Sequence, residues 1–557
     1  MSKRLRFITG IGLFLSVLLI LGSIAACSAT NIQPSIQSFS VDLLIKNGMV
    51  YDGSIASPGV MDIAIQGDTI VTVGHFTGSA KRTIDATGLI VIPGIIDGHN
   101  HTDMVFQIIQ DQYPTIPEGV TGNYGAVYQG VSTIITGLCG CGIIDTKDWF
   151  AQLTEVKFAS NVYHLIPHGD LRRSLFGENQ PKKLSPAQLE QMKNALEKEM
   201  KQGALGLSTG LEYVPGSMSD TDELIELCKV VKKYQGFYVT HVRDESGLAP
   251  ENIGVMKAYQ EAINIGKASG VAVHFSHMKI TAPYYGATAV KLLEMVDKAR
   301  EEGVDITGDQ YPYDFFSTNL EIFLPQNYLT SIGVKPEYRT GEGKTEIIEV
   351  IKQCFAQISQ GQVSSIVVFS SRPSYNRKSL GEIARTLGKS LAEAYIEVIT
   401  ETDNTPLGIF FFMREDDMKE FMKKEYVFTA SDGFAMSTDV AALFPGLPGH
   451  PRSFGTFPRK IRKYALDEQV IPLQQAIRSM TSLPAERFHM KKRGRIAQGY
   501  YADITILDLK KLKDTATYQN YAQYAEGIEY LLVNGQLEID QKTITGIRSG
   551  RFLKMGD

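Results

Sequence analysis

"VIPGIIDGHNHTD", Val91 to Asp103, decides how the rest of the chain is read. An apolar run breaks at Pro93-Gly94, resumes, and ends on His99 and His101 two residues apart. On a strand, residues i and i+2 face the same side. Both imidazoles therefore leave the strand end aimed at one spot, which is how a protein begins to hold a metal. Alone, such a pair is more often two polar residues in a loop, and the sequence on either side decides between the two.

Before this stretch, "DLLIKNGMVYDG", "DIAIQGDTIVTVG" and "TIDATGLIVI" read as short strands with turns at Asn47-Gly48 and Asp52-Gly53, consistent with antiparallel hairpins. Near the C-terminus, "GYYADITILDL" and "IEYLLVNGQLEI" have the same texture, with a turn at Asn534-Gly535. Residues 41–92 and about 490–557 are thus expected to pair into one small β-sandwich domain built from both chain ends.

Between them the pattern changes. Short apolar runs ("GIIDGHNH", "VSTIITGLCG", "NVYHLIPHG", "ALGLSTG", "FYVTHVRDE", "VAVHFSHMK", "VDITGDQYPY", "SIVVFSS", "GIFFFM", "VFTASDG") alternate with amphipathic helical stretches at 186–202, 221–234, 252–268 and 288–302. Alternating strand and helix argues for α/β architecture with a parallel sheet, most simply a (β/α)8 TIM-like barrel over 93–489. Ten runs exceed eight strands, so some lie outside the barrel. Residues 320–365, after Pro325, read as an insertion over its mouth.

The 557-residue chain is 43% hydrophobic and 21% charged, an ordinary globular composition. Lys3, Arg4 and Arg6 precede an apolar stretch ending in "IAAC", Ile24 to Cys27. This reads as a lipoprotein signal peptide over 1–26, with cleavage before Cys27, lipid on that cysteine, and a tether over 27–40. The expected protein is exported and anchored to a membrane through its lipid. Without the three leader cations the net charge moves from −5 to −8, and no basic tract remains for nucleic acid. Five cysteines are too few for a disulfide scaffold.

In a (β/α)8 barrel, function sits at the C-terminal ends of the strands. His99, His101, Cys139, His168, His241, His277 and Asp432 all end apolar runs. Five of the chain's ten histidines follow that rule. Imidazole and thiolate suit zinc, whose catalytic sites keep one position open for water and lower its pKa to roughly 7. Asp432 is placed to take the water's proton and hand it to a leaving amine, although an "S-D-G" turn is also an ordinary helix cap.

These motifs, with "GLSTGLEYVPG", "THVRDES", "SHMK", "DQYPY" and "HPRSFGTFPR", in that order over about 41–510, resemble the D-aminoacylase (N-acyl-D-amino-acid deacylase) family of the amidohydrolase superfamily. The resemblance implies a zinc-dependent hydrolase of the amide bond of small N-acyl-D-amino acids. It implies one tight zinc on Cys139, His241 and His277, a weaker second metal on His99 and His101, and Asp432 as the catalytic aspartate. It also implies that Lys279, Tyr311, Ser317 and Arg452 face the substrate. Arg binds a carboxylate with two parallel bonds and Lys offers a point charge.

Leu138 stands where the family commonly has Asn, and the loop from Asp432 to His450 is longer than the pattern. Cys141 reads as a small buried residue, His274 as structural, and His168 as lying behind the ligands. "GLSTG" fits the G-x-S-x-G elbow of serine hydrolases, but Pro215-Gly216 opens no helix after it, which argues against Ser208 as a nucleophile. Rival readings are the same chemistry on dipeptides, cyclic imides or peptidoglycan fragments, and a non-catalytic solute-binding lipoprotein.

Overall fold

The computed structural model describes residues 40–112, 115–178, 180–248, 253–330, 333–402, 405–434, 437–443 and 449–557. The leader, Cys27 and nearly all of the tether lie outside the described residues. Among those described, no helix is long and apolar enough to cross a membrane.

Eight of the ten apolar runs form parallel strands. In chain order these are β1 (Ile95–Asp97), β2 (Val131–Thr136), β3 (Asn161–His164, resuming at Ile166–Pro167), β4 (Gly206–Gly210), β5 (Phe237–His241), β6 (Ala272–Phe275), β7 (Ile306–Gln310) and β8 (Val427–Thr429). β1, β2 and the first part of β3 make one sheet; the second part of β3 and β4 to β8 make another. Leu165, between the two parts of β3, donates its N–H to Thr136 O at 2.9 Å. At the other edge, the Asp432 N–H donates to His99 O at 2.9 Å, and the His101 N–H to Gly433 O at 2.8 Å.

The helices follow from their caps and periodicity. Pro186–Gln202 starts at a reciprocal Ser185–Gln188 capping box and stops at left-handed Gly203. Thr221–Lys233 and Ala289–Glu301 start at the Asp220 and Thr288 side chains. Val255–Ser269 completes the expected set. Their apolar faces, including Leu196, Leu227, Ile263 and Val296, bury against Leu207, Tyr238, Val273 and Ile306 of the sheet. The polar strand ends are thereby left outside this apolar core.

The two remaining runs lie elsewhere. "SIVVFSS" and "GIFFFM" supply Val367–Phe369 and Leu407–Phe410 to an antiparallel sheet with Phe316–Asn319 and Lys378–Ser379. That excursion between β7 and β8 reaches beyond 320–365 on both sides. It has its own core around Phe323, Phe355, Tyr395, Ile399 and Phe410.

Both chain ends meet in a nine-stranded sheet, where Ile90–Pro93 pairs antiparallel with Ile504–Leu507. Asn534-Gly535 is the expected tight turn, with both residues at positive φ. Asn47-Gly48 is not a turn. It is a bulge inside the single strand Ser40–Val50, where the register shifts.

Candidate metal centre

The strand ends converge. Cys139 Sγ lies 3.3 Å from His277 Nε2 and 3.4 Å from His99 Nε2. His241 Nδ1 is 3.1 Å from His277 Nε2. His101 Nε2 is 3.0 Å from Asp432 Oδ1. Among the described residues, two ligand-type groups share the thiol, Cys139–His241–His277 and His99–His101–Cys139–Asp432, and a third, Glu212–His241–Glu245, gathers on the far side of His241; within each, the ligand atoms lie within 4.8 Å of one another. The His99 and His101 rings stand edge to face, 5.2 Å apart.

The backbone is forced at three of these positions. Cys139, His277 and Asp432 have φ of 52°, 33° and 49°, a region that costs a non-glycine residue about 1–3 kcal/mol. Side-chain bonds hold them there. Around Cys139, Ser208 Oγ donates to Gly137 O and accepts from Gly140 N–H at 3.2 Å. Side chains on Gly137 or Gly140 would collide with the backbone at Leu165 or Gly210, which explains the "TGLCG" spacing. Asp309 Oδ1 accepts the His277 N–H at 2.8 Å. Beside Asp432, Ser431 N–H donates to Asp97 at 2.8 Å.

Charge is concentrated here with almost no water access. Burial alone would push the Cys139 thiol up, yet the facing His99 and His277 hold it well below its ordinary value. Burial likewise opposes ionisation of Asp432, but Arg452, His277 and His99 keep it well below the usual carboxylate range. Burial would lower the imidazoles; instead Asp432 and Cys139 carry His101 up to about 9, and Glu245, Cys139 and Glu212 carry His241 up to about 10. Positive charge favoured on His99, His101 and His241 thus goes with an anionic thiol and carboxylate. A divalent cation brings that same charge, and the soft and imidazole donors suit zinc.

Lys279, Tyr311, Ser317 and Arg452 line one cavity of about 380 Å³ with these groups. Arg452 is turned inward by His450, whose Nδ1 accepts the Arg452 N–H at 3.0 Å while Nε2 donates to Phe315 O at 3.0 Å. Among the described residues, Arg452 Nε, Tyr311 OH and Ser317 Oγ are buried without a hydrogen-bond partner. Lys279 Nζ binds Glu245 Oε2 at 2.5 Å. The excursion between β7 and β8 supplies part of the wall, with Ser317, Asn319, Ile322 and Leu407.

One expectation needs correction. His168 does not lie behind the ligands: its Nε2 is 2.9 Å from Glu223, which also holds Arg172. His274, expected to be structural, has its Nε2 on Asp309 Oδ2 (2.9 Å), the oxygen that also meets His99 Nδ1 (3.1 Å). Cys141 lines the cavity with its thiol pushed well up by burial, and it belongs to neither ligand group. Sequence reasoning gave no role to Glu245, whose Oε1 is 2.8 Å from His277 Nδ1, nor to Asp309 or Glu212. Each sits inside a quoted motif, and that was the available signal.

Residues 431–537 match the family model described as amidohydrolase family. The chain is 29% identical over 538 residues to D-aminoacylase of Alcaligenes xylosoxydans xylosoxydans, covering 92% of this chain and 97% of that one. It is 28% identical over 529 residues to the N-acyl-D-glutamate deacylase of the same organism, covering 92% and 96%. Among solved structures, N-acyl-D-glutamate deacylase from Bordetella bronchiseptica, complexed with zinc and a phosphonate mimic of the tetrahedral intermediate, superposes with a TM-score of 0.76. The identity is 26%, and the match covers 93% of this chain and 100% of that one.

Proposed function

The chain is a homologue of D-aminoacylase and N-acyl-D-glutamate deacylase with the α/β amidohydrolase fold, and from that premise we propose that it hydrolyses the amide bond of N-acyl-D-amino acids in a metal-dependent reaction. The products are a carboxylate and a free D-amino acid. The observation that carries the reading is the convergence of Cys139, His241 and His277 on one point, beside Asp432 and a cavity holding buried cations.

Cys139, His241 and His277 would hold the tight zinc, and His99 and His101 a weaker second metal. Bound zinc polarises a carbonyl and brings the pKa of a water to about 7. The chain's own residues do the rest. Arg452, with its unpartnered Nε, takes the substrate carboxylate; Lys279, Tyr311 and Ser317 complete that end of the cavity. Asp432 accepts the proton of the attacking water and delivers it to the leaving amine, acting as base and then acid. Arg452 stands against Asp432, so a carboxylate arriving on Arg452 draws away charge that holds Asp432 ionised and makes it a better base.

The architecture is read the same way. The backbone bonds at Leu165 and between His99, His101, Asp432 and Gly433 support closure of β1–β8 into a (β/α)8 barrel spanning about 93–489. The pairing of Ser40–Val50 with three neighbours supports a β-sandwich from 41–92 and 490–557. The excursion acts as a wall and cover that excludes water. The N-terminal sequence is what supports an exported protein with lipid on Cys27.

The test is hydrolysis of paired N-acetyl-D- and N-acetyl-L-amino acids. Turnover confined to the D series, abolished by chelation and restored by zinc, is expected. Equal turnover of both series, or turnover that persists after chelation, overturns the reading.

A further inference from the structure

His241 faces the centre through one ring nitrogen and is held from behind by the other. Nδ1 lies toward His277 Nε2 and the Cys139 thiol. Nε2 points away, 2.9 Å from Glu212 Oε2. Glu212 follows β4 in "GLSTGLEYVPG", and its side chain is 1% exposed. Its other oxygen, Oε1, accepts the Ser246 backbone N–H at 3.0 Å and also the Ser246 hydroxyl. Both oxygens are committed, so the carboxylate has little freedom to turn.

A carboxylate ion only accepts hydrogen bonds. In the neutral ring that a metal binds, His241 Nε2 therefore carries the proton against Glu212, and the lone pair is left on Nδ1, the atom that faces the thiol. We propose that Glu212 is a positioning residue that fixes the tautomer of His241 so that Nδ1 is the metal-binding atom. The proposal rests on the reading of His241 as a ligand. His277 and His99 are backed in the same way, by Glu245 and Asp309. However, Glu245 also holds Lys279, and Asp309 also holds His274 and the His277 N–H. Among the described residues, the hydrogen bonds of Glu212 run to His241 and Ser246, with Glu245 Oε2 farther from the same His241 Nε2, at 3.7 Å, so Glu212 can be tested separately.

The Ser246 N–H makes the test sharp. In Glu212→Gln the amide oxygen has to stay on that N–H, because an NH2 group there would face another donor. The amide NH2 then faces His241 Nε2, which must accept, and the ring proton moves to Nδ1. Glu212→Ala removes the constraint and leaves the ring free to choose. The experiment measures zinc affinity by chelator competition, and the thiolate-to-metal absorption band after cobalt substitution, in wild type, Glu212→Gln, Glu212→Ala and His241→Ala. Melting temperatures are measured in parallel.

The expected result is a loss of zinc affinity of roughly 10- to 100-fold in Glu212→Gln, with a smaller loss in Glu212→Ala. A role confined to bracing the Ser246 loop reverses that order, because glutamine keeps the brace and alanine does not. If Glu212→Ala fails to fold, Glu212→Gln decides alone: weakened zinc at a wild-type melting temperature supports the proposal, and wild-type zinc affinity overturns it. Unchanged zinc affinity in His241→Ala overturns the ligand reading itself. Loss of zinc in His241→Ala but not in Glu212→Gln overturns only the tautomer proposal.

Discussion

Arg452 Nη1 stands 2.6 Å from Asp432 Oδ2, while Arg452 Nε has no hydrogen-bond acceptor. One arm of the guanidinium neutralises the carboxylate, and the rest faces the cavity. The same cation thus favours the ionised form of Asp432, and in the proposed reaction it would be the docking point for a substrate carboxylate. Its plane also lies over the Tyr311 ring at 5.0 Å, which fixes its direction.

Replacing Arg452 by Ala therefore acts on two quantities. A hydrogen bond to a charged group contributes about 1.5–3 kcal/mol, so kcat/KM falls roughly 10- to 150-fold, mostly through KM. Asp432 also loses the cation that does most to favour its ionised form against burial. Because Asp432 acts as a base only when ionised, the acid limb of the kcat/KM profile moves to higher pH. An unchanged KM with an unchanged acid limb contradicts this role.

Asp432→Asn removes the proton carrier and leaves the cysteine–histidine group in place. Turnover falls by roughly 10²- to 10⁴-fold, while zinc content at the tight site stays at the wild-type level. Zinc lost in parallel with activity would instead make Asp432 a ligand of that metal.

Ser208 braces the Cys139 turn through Gly137 and Gly140, and the proposed reaction gives it no part as a nucleophile. Ser208→Ala forfeits about 1 kcal/mol of stability for a lost hydrogen bond and keeps turnover of the same order as wild type. A variant that folds, binds zinc and has no turnover would restore the serine-hydrolase reading.

Lys460 gives a prediction about stability. It is buried in the helical run Lys460–Asp467, and burial drags its ammonium down to about 7 from an ordinary 10.5. Between those values the unfolded chain binds more protons than the folded one, so this group makes stability rise with pH across that window. Below it both states are charged, and the folded state bears the full desolvation cost. Lys460→Met is thus expected to melt a few degrees higher than wild type at pH 6, with the gap narrowing toward pH 10. A gap independent of pH contradicts the assignment.

Much of this was legible in the sequence because it is local. The helices at 186–202 and 221–234 are set by their caps and by 3.6-residue periodicity. The candidate ligands are visible because each ends an apolar run. What could not be read depends on contacts distant in sequence. Glu212 and Asp309 acquire their partners only when separate strands stand side by side. Asn47-Gly48 has the composition of a hairpin turn, but Gly48 pairs with Met61 and Met49 with Val60 on the neighbouring strand, and the register shift between Ile45 and Gly48 makes it a bulge instead. His168 obeys the strand-end rule but opens the helix His168–Phe176 and turns to Glu223. The left-handed backbone at Cys139, His277 and Asp432 has no composition signal, since none is glycine. It is the tertiary frame that holds them there.

The central claim is that Cys139 is a zinc ligand in a D-selective deacylase. The most direct measurement is zinc content together with hydrolysis of N-acetyl-D- and N-acetyl-L-amino acids, for wild type and Cys139→Ala. The account predicts tightly held zinc and D-selective turnover in wild type, both lost in a variant that still folds. Full zinc content and full activity in Cys139→Ala would contradict it.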